Sequence, residues 1–162
     1  MAERIRILIV DDEARFLQAL SQRLSLRDFD VTPFTDGRDA IEAARQQPFD
    51  IALLDLKMPG MSGEQVLATL KAEHPDMEVV ILTGHGSIDS AVDCTRSGSY
   101  RYLQKPCETD TLLSVLRDAY QHRVQRRLAL SEERMNAMLG SAVGESPLAI
   151  LRRLKEIAEG GR

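Results

Sequence analysis

The sequence predicts an α/β fold in which five parallel strands form one sheet that is covered by helices on both faces. Short, nearly continuous aliphatic runs recur along the chain, and each is followed by a segment whose apolar residues repeat at helical spacing. Unbroken aliphatic runs are typical of parallel strands that are buried on both faces. Strands that alternate with helices join through right-handed crossovers and form a single parallel sheet.

Each element in the first part of the chain has its own local signal. Residues 5–10 are nearly continuous aliphatic and predict the first strand. The next segment, residues 13–26, places four apolar side chains at helical spacing: Phe16, Leu17, Leu20 and Leu24. A short strand over residues 30–34 precedes Asp36, whose side chain is suited to cap a helix that runs to about residue 46.

The second part of the chain continues the alternation. Residues 51–54 form the third predicted strand, and the Pro and Gly in residues 57–61 predict a loop. Ser62 and Gln65 have the spacing of a capping box and start the next helix, which Pro75 bounds. The remaining elements are predicted as a strand over 79–82, a helix over 87–96, a strand over 100–104 and a helix from about residue 109.

Composition and charge restrict the function classes. The formal net charge of −4 over 162 residues gives no global prediction of nucleic-acid binding. Cys94 and Cys107 form no metal-ligand pattern and are interpreted as unpaired thiols in a reducing cytoplasm. The first aliphatic run is too short for a signal peptide, and no stretch is long enough to span a bilayer. The sequence therefore predicts a soluble, cytoplasmic protein with no membrane partner.

Polar residues that suit one chemistry follow the predicted strands. Asp11 and Asp12 follow the first strand, Asp55 the third, Thr83 ends the fourth and Lys105 follows the fifth. All of them are expected at the carboxyl edge of the sheet, where open α/β sheets place their ligands. Carboxylates crowded at one edge repel one another unless a hard cation binds, and an all-oxygen set suits Mg²⁺.

Phosphoryl transfer would use this set of residues completely. A carboxylate such as that of Asp55 can act as the nucleophile and form an acyl phosphate. Mg²⁺ and Lys105 would neutralise the charge on the phosphoryl oxygens, and the hydroxyl of Thr83 would donate a hydrogen bond to one of them. No general base is needed, because a phosphohistidine donor already has a good leaving group.

Each of these residues also has a purely structural interpretation. Paired aspartates after a strand often cap helices, and a strand-end aspartate, a Thr-Gly pair or a Lys-Pro pair often lies in an ordinary turn or loop. Their joint placement at successive strand ends favours the functional interpretation. A metal-dependent phosphatase with an aspartyl intermediate would use similar chemistry, but the sequence shows no second acid for turnover.

Residues 1–122 resemble the receiver domain of two-component response regulators. Four stretches carry the resemblance: ILIVDDE (7–13), DIALLDLKMPGMSG (50–63), VVILTGHGS (79–87) and SYRYLQKP (99–106). The resemblance implies a flavodoxin-like, doubly wound sheet with strand order 2-1-3-4-5. It also implies a phosphoacceptor domain, rather than an enzyme, that assists its own phosphorylation and dephosphorylation and whose partners are a sensor histidine kinase and a downstream output protein or domain.

The resemblance assigns roles at the metal site residue by residue. It implies that Asp55 is the phosphoacceptor and that Asp12 is a direct Mg²⁺ ligand. Asp11 would act largely through water, and the backbone carbonyl of Lys57 would complete the metal site.

The remaining roles concern the response to phosphorylation. The resemblance implies that Thr83 and Lys105 bind the phosphoryl group and that Tyr102 is a switch residue that reorients as the threonine shifts. Tyr102 packed statically on the edge of the fifth strand is the structural alternative. Arg101 departs from the acidic residue common at its position, which puts in doubt the surface that partners recognise.

Residues 123–162 are predicted to form a helical C-terminal extension or linker. The last helix continues past the receiver with apolar residues at helical spacing, breaks over 140–147, and is followed by an amphipathic helix over 148–159 and a frayed end. The basic run 123–127 is interpreted as a solvated helix face, so no direct nucleic-acid binding is expected.

Two functions remain open for this extension. The first is a receiver whose C-terminal helices mediate homodimerisation or partner docking. The second is the receiver and linker of a sigma-54-dependent transcriptional activator, because residues 144–158 resemble the start of the ATPase domain of such proteins. The sequence contains no phosphate-binding GxxxxGK[ST] loop, so this chain alone is not expected to hydrolyse ATP.

Overall fold

The computed structural model describes residues 3–141 and 147–160. The strands are β1 (Ile5–Val10), β2 (Phe29–Phe34), β3 (Ile51–Leu54), β4 (Glu78–Thr83) and β5 (Arg101–Gln104). The helices are α1 (Ala14–Ser25), α2 (Gly37–Gln46), α3 (Gly63–Glu73), α4 (Ile88–Arg96), α5 (Thr109–Ser141) and α6 (Pro147–Gly160).

The five strands form one sheet in the order β2-β1-β3-β4-β5, and all neighbouring pairs are parallel. The predicted fold class and strand order are therefore confirmed. Strand boundaries differ from the sequence prediction by one residue. β2 begins at Phe29, which is fully buried and pairs with Ile5. β5 begins at Arg101, although the backbone N–H of Tyr100 already donates to the carbonyl of Val79 at 2.7 Å.

Successive strand residues face opposite sides of the sheet, and this alternation creates two cores. One core packs residues such as Leu8, Val10, Leu54 and Ile81 under α2, α3 and α4. The other packs residues such as Ile7, Ile9, Leu53 and Val80 under α1 and α5. Both faces of the sheet are thus covered, which explains why the central strands read as unbroken aliphatic runs.

Helix caps predicted from the sequence are present. The Asp36 side chain accepts a hydrogen bond from the backbone N–H of Arg38 at 2.8 Å. Ser62 and Gln65 exchange the two hydrogen bonds of a capping box, at 3.3 Å and 3.0 Å. These caps fix the starts of helices whose preceding loops lie at the carboxyl edge of the sheet.

A buried charged cluster lies at the opposite, amino edge of the sheet. The carboxylate of Asp50, only 4% exposed, accepts from the backbone N–H of Arg6 at 2.9 Å and from its guanidinium at 3.2 Å. Arg123 of α5, 9% exposed, lies 3.3 Å from the same carboxylate. Nearby, His122 Nδ1 lies 3.1 Å from the buried carboxylate of Glu78. These contacts fix α5 against the sheet at the point where the first compact unit ends.

Asp50→Ala is expected to lower the free energy of unfolding by about 2 kcal/mol, because the buried guanidinium of Arg123 loses the carboxylate with which it forms an ion pair. Chemical denaturation measures this loss. Asp28→Ala is the matched control: its pair with Arg117, at 3.4 Å, is exposed on both sides, so the change should stay within about 0.5 kcal/mol. Equal effects of the two substitutions would contradict the importance of the buried pair.

The chain divides into two compact units, Met1–Val124 and Gln125–Arg162. The predicted break after residue 139 is wrong at its start, because α5 includes Gly140 and ends at Ser141. The rest of that break, residues 142–146, lies outside the described residues. α6 includes Pro147, as suits a first helical position, and extends to Gly160. The predicted frayed end over residues 159–162 is therefore wrong at Glu159 and Gly160, and its last two residues lie outside the described residues.

The apolar stripe of α5 changes character along the helix. Leu113 and Leu116 are buried against the sheet, whereas Leu128 is 60% exposed and Met135 is 51% exposed.

In residues 3–141 and 147–160, no helix is both long and apolar enough to cross a lipid bilayer. Cys94 and Cys107 are free thiols, and burial raises the pKa of Cys94 to about 11.

Candidate functional site

The structure brings the three predicted carboxylates together. Carboxylate oxygens of Asp11, Asp12 and Asp55 all lie within 4.8 Å of one another. β1 and β3 are neighbours and Val10 pairs with Leu54, so the residues that follow the two strands are level at the edge of the sheet. Asp11 and Asp55 are buried, with 2% and 3% of their surface exposed, whereas Asp12 faces solvent.

Backbone hydrogen bonds fix the two buried carboxylates. One oxygen of Asp11 accepts from the backbone N–H of Glu13 at 2.9 Å. Oδ1 of Asp55 accepts from the backbone N–H of Leu56 at 2.8 Å. In each residue the second oxygen, Oδ2, is therefore left to face the remaining groups of the site.

Lys105 is the cation of this site. Its Nζ lies 2.6 Å from Asp11 Oδ2, 3.7 Å from Glu13 Oε1 and 3.8 Å from Asp55 Oδ2. Its backbone N–H donates to the carbonyl of Thr83 at 2.8 Å, which holds the start of the loop after β5 against β4. The Lys105–Pro106 peptide bond is cis. The side chain of Lys105 is only 15% exposed, so its charge acts in partial isolation from water.

Negative charge in the site exceeds what Lys105 balances. Burial raises the pKa of Asp11, and the repulsion of Asp55 adds to this, although the hydrogen bond from Lys105 lowers it. The donor set contains only oxygen ligands, and Mg²⁺ prefers a few carboxylates together with water and carbonyl oxygens. The acidic cluster therefore fits the Mg²⁺ that the sequence predicts, both in ligand type and in uncompensated charge.

Thr83 and Tyr102 lie on neighbouring strands beside this cluster. Thr83 is fully buried, and its Oγ1 accepts from the backbone N–H of His85 at 3.2 Å. The hydroxyl of Tyr102 shares a hydrogen bond with Ser90 Oγ at 2.8 Å. A Cβ at Gly86 would lie 2.6 Å from the Tyr102 oxygen, so the ring occupies a space that only a glycine leaves free.

A cleft of about 500 Å³ opens beside Asp12. Its lining includes Lys57, Glu64 and His85. Lys57, whose backbone carbonyl is predicted to complete the metal site, lines the same cleft as Asp12. A larger and mostly apolar groove of about 790 Å³ lies between α1 and β2, and none of the predicted site residues lines it.

Comparison with known proteins decides the family. The model of the response regulator receiver domain family matches residues 7–117, which is most of the chain. The chain belongs to the response regulator receiver family. As a receiver of two-component response regulators, it has the five-stranded fold with Asp11, Asp12 and Asp55 at its carboxyl edge.

Relatives of this receiver are longer proteins. The regulatory protein LuxO of Vibrio vulnificus is 40% identical over 111 residues, covering 68% of this chain and 24% of LuxO. The C4-dicarboxylate transport transcriptional regulatory protein DctD of Pseudomonas aeruginosa is 32% identical over 155 residues, covering 93% of this chain and 33% of DctD. The chain therefore spans about a quarter to a third of the length of these relatives.

The receiver also resembles solved structures. The beryllofluoride-activated NtrC4 receiver domain dimer, solved in solution, has a TM-score of 0.70 and 30% sequence identity. The match covers 73% of this chain and 98% of the NtrC4 chain.

Three contacts of this receiver's site were missed by sequence reasoning. Glu13 lies near Lys105, Ser90 bonds Tyr102, and the ring of Phe16 lies under the Lys105 ammonium. The spacing of Ser87 and Ser90 indicates the cap of α4 but not the hydrogen bond between Ser90 and Tyr102. No sequence signal indicated the contact of Phe16 beyond its place on the apolar face of α1. The spacing of residues along a chain does not show which aromatic ring an ammonium group will contact.

Proposed function

We propose that this receiver takes a phosphoryl group on the carboxylate of Asp55 from a sensor histidine kinase, in a reaction that requires Mg²⁺. The observation that carries the proposal is the buried carboxylate of Asp55, whose Oδ1 is held by a backbone N–H while Oδ2 faces Lys105 at 3.8 Å. Oδ2 is therefore the atom that attacks phosphorus. The bond from phosphorus to the donor nitrogen breaks as the acyl phosphate bond forms, and the donor histidine leaves with the electron pair.

Lys105 and Thr83 would bind the transferred group. The ammonium of Lys105 has to shift only from Asp11 toward an oxygen of the phosphoryl group on Asp55, because both carboxylates already lie within 3.8 Å of it. Thr83 ends the strand beside the one that Asp55 follows, and its hydroxyl would donate to another phosphoryl oxygen. Both contacts neutralise charge that develops on transfer.

Mg²⁺ would be held by Asp12 and Asp55 directly, by Asp11 largely through water, and by the backbone carbonyl of Lys57. When bound, the ion supplies positive charge to the phosphoryl oxygens. The exposure of Asp12 and its position on the open cleft support this assignment, since an ion that keeps several waters needs an open side.

The experiment that tests the function is labelling with a small-molecule phosphodonor. The full chain is incubated with donor and Mg²⁺, and intact mass is followed over time. We expect one phosphoryl group per chain, labile to hydroxylamine as an acyl phosphate is, and none when EDTA removes the metal. Peptide mapping that places the group on a residue other than Asp55 would refute the assignment.

Mg²⁺ is expected to stabilise the unphosphorylated chain. A ligand that binds only the folded state adds about 1.4 kcal/mol at ten times its dissociation constant, and a thermal melt with and without Mg²⁺ measures the shift. Asp12→Asn should lose most of the shift, whereas Glu64→Gln on the same cleft should keep it. A full shift in the Asp12 variant would show that the ion binds elsewhere.

Tyr102 would act as the switch. The hydrogen bond between its hydroxyl group and Ser90 and the packing of its ring over Gly86 define one position of the ring. Movement of Thr83 toward the phosphoryl group would favour another position. Signalling would then proceed by conformational change at the faces near α4 and β5, and the chain would modify only itself rather than act as an enzyme on a separate substrate.

The output partner would be a downstream protein or domain, with homodimerisation as the accompanying change. The NtrC4 receiver is a dimer in its activated form, and exposed apolar residues on α5, including Leu128 and Met135, support the same for this chain. Light scattering with and without phosphodonor measures whether the chain dimerises on phosphorylation.

The proposal also includes a cytoplasmic location and no direct contact with nucleic acid or membrane. It divides the chain into a receiver over residues 1–122 and an extension over residues 123–162.

A second candidate is that the chain is the receiver and linker of a larger transcriptional activator. The match to DctD extends over 93% of this chain and therefore includes most of its C-terminal helices. A phosphate-binding loop encoded after Arg162 would support this candidate. A stop codon at that point would instead favour a receiver that acts through partner docking.

A further inference from the structure

The ammonium of Lys105 lies over the face of an aromatic ring. Its Nζ is 4.0 Å from the centroid of Phe16, a residue in the first turn of α1. A cation at this distance is attracted by the negative face of the ring, and the attraction grows when water is excluded. The side chain of Lys105 is only 15% exposed, so little water weakens the attraction between its ammonium and the ring.

The other neighbours of the ammonium compete for it. Asp11 holds it at 2.6 Å, whereas Asp55 lies at 3.8 Å and Glu13 at 3.7 Å. Glu13 is 65% exposed and is already within ion-pair distance, so it competes with the two buried carboxylates for the ammonium. The ring differs from all three carboxylates, because its attraction does not depend on one acceptor atom and persists as the ammonium moves across its face.

We propose that Phe16 is a positioning residue for phosphoryl transfer, whose ring face keeps the Lys105 ammonium beside Asp55 while it passes from Asp11 to the phosphoryl group. This role rests on the proposed function of Asp55. The ring keeps the ammonium within reach of both buried carboxylates, so less order has to be created at the transfer step.

Phe16 also packs against the core under α1 and α5. Replacing it with an aliphatic residue would change packing and electrostatics together. Fluorine substitution separates the two, because it weakens the negative charge of the ring face while changing its shape little.

The experiment places mono-, di- and trifluorinated phenylalanine at position 16 of the full chain by amber suppression. The rate of acyl phosphate formation is measured with phosphodonor and saturating Mg²⁺. We expect the rate to fall stepwise, by about three- to tenfold at the trifluorinated ring, with an unchanged unfolding midpoint. The same substitutions at Phe29, which is buried in the same core, are the control and should leave the rate unchanged.

A second readout does not depend on transfer. The ε-methylene protons of Lys105 should be shifted upfield by the ring current, and Phe16→Leu should return them to the ordinary lysine range in the NMR spectrum. A flat rate across the fluorinated series, with labelling intact, would overturn the positioning role alone. No labelling in any variant, including the wild type, would overturn the function of Asp55 and this role with it.

Discussion

Asp55→Asn is expected to abolish phosphoryl labelling while the fold survives. The amide keeps the shape of the side chain, and its oxygen can still accept from the backbone N–H of Leu56, which holds Oδ1 at 2.8 Å. The position of the attacking Oδ2, however, is then taken by an amide nitrogen, whose lone pair is delocalised into the carbonyl and cannot attack phosphorus. Substitution also removes one of three carboxylates that lie within 4.8 Å of one another, so the free energy of unfolding should stay level or rise as repulsion falls.

Intact mass after incubation with phosphodonor and Mg²⁺ measures the loss, and circular dichroism with urea denaturation checks the fold. Asp76→Asn, an exposed turn residue outside the site, is the matched control and should label at the wild-type rate. Labelling of the Asp55 variant at the rate of that control would transfer the phosphoacceptor role to another residue. Loss of both labelling and cooperative unfolding would show that Asp55 is needed for folding.

The positions of the site residues could be predicted because a parallel sheet brings together residues that are distant in sequence. Asp11 and Lys105 are 94 positions apart, yet their side chains lie 2.6 Å apart. Recognising where each strand ends was enough to place both residues at the carboxyl edge of one sheet. The aliphatic runs made these ends visible, since the apolar pattern stops where the polar residue begins.

Pairing between particular side chains was not predictable. Asp50 could have been a turn residue, and its burial against Arg123 depends on how α5 crosses the amino edge of the sheet. Spacing along a chain gives the face of a helix but not the neighbour across from it. The contact between Phe16 and Lys105 was not predictable for the same reason.

The end of α5 shows a second limit. Gly140 was predicted to break the helix, because glycine is unfavourable in a helix interior by about 1 kcal/mol. Gly140 is the penultimate residue of α5, which ends at Ser141, so the penalty for an interior glycine does not apply in full. Intrinsic propensity thus predicts the end of a helix only to within one or two residues.

Gly63→Ala is expected to disrupt the loop after β3. Gly63 begins α3, and its backbone N–H donates to the carbonyl of Leu56 at 2.8 Å, which folds the loop after β3 back on itself. An added Cβ would lie 2.7 Å from the Cα of Leu56 and would also overlap the backbone carbonyl of Asp55. Backbone atoms cannot rotate away as a side chain can, so the loop itself has to shift.

The expected cost is about 3 kcal/mol in the free energy of unfolding, at the upper end of the range for overpacking. Phosphoryl labelling should fall as well, because a shift of the Asp55 backbone moves the proposed nucleophile relative to Lys105. Gly84→Ala is the matched control at the same edge of the sheet. Its added Cβ would meet only the Lys105 side chain, at an ordinary 3.9 Å.

Urea denaturation and the labelling rate are measured on both variants, and the two results are compared between the Gly63 and Gly84 substitutions. The Gly84 variant should unfold within about 0.5 kcal/mol of the wild type and keep its labelling. A Gly63 variant as stable and as active as the Gly84 variant would mean that the loop after β3 can open without moving Asp55. The close approach of α3 to Asp55 would then be a matter of packing alone, and the rigid placement of the nucleophile would have to come from β3 and its backbone hydrogen bonds.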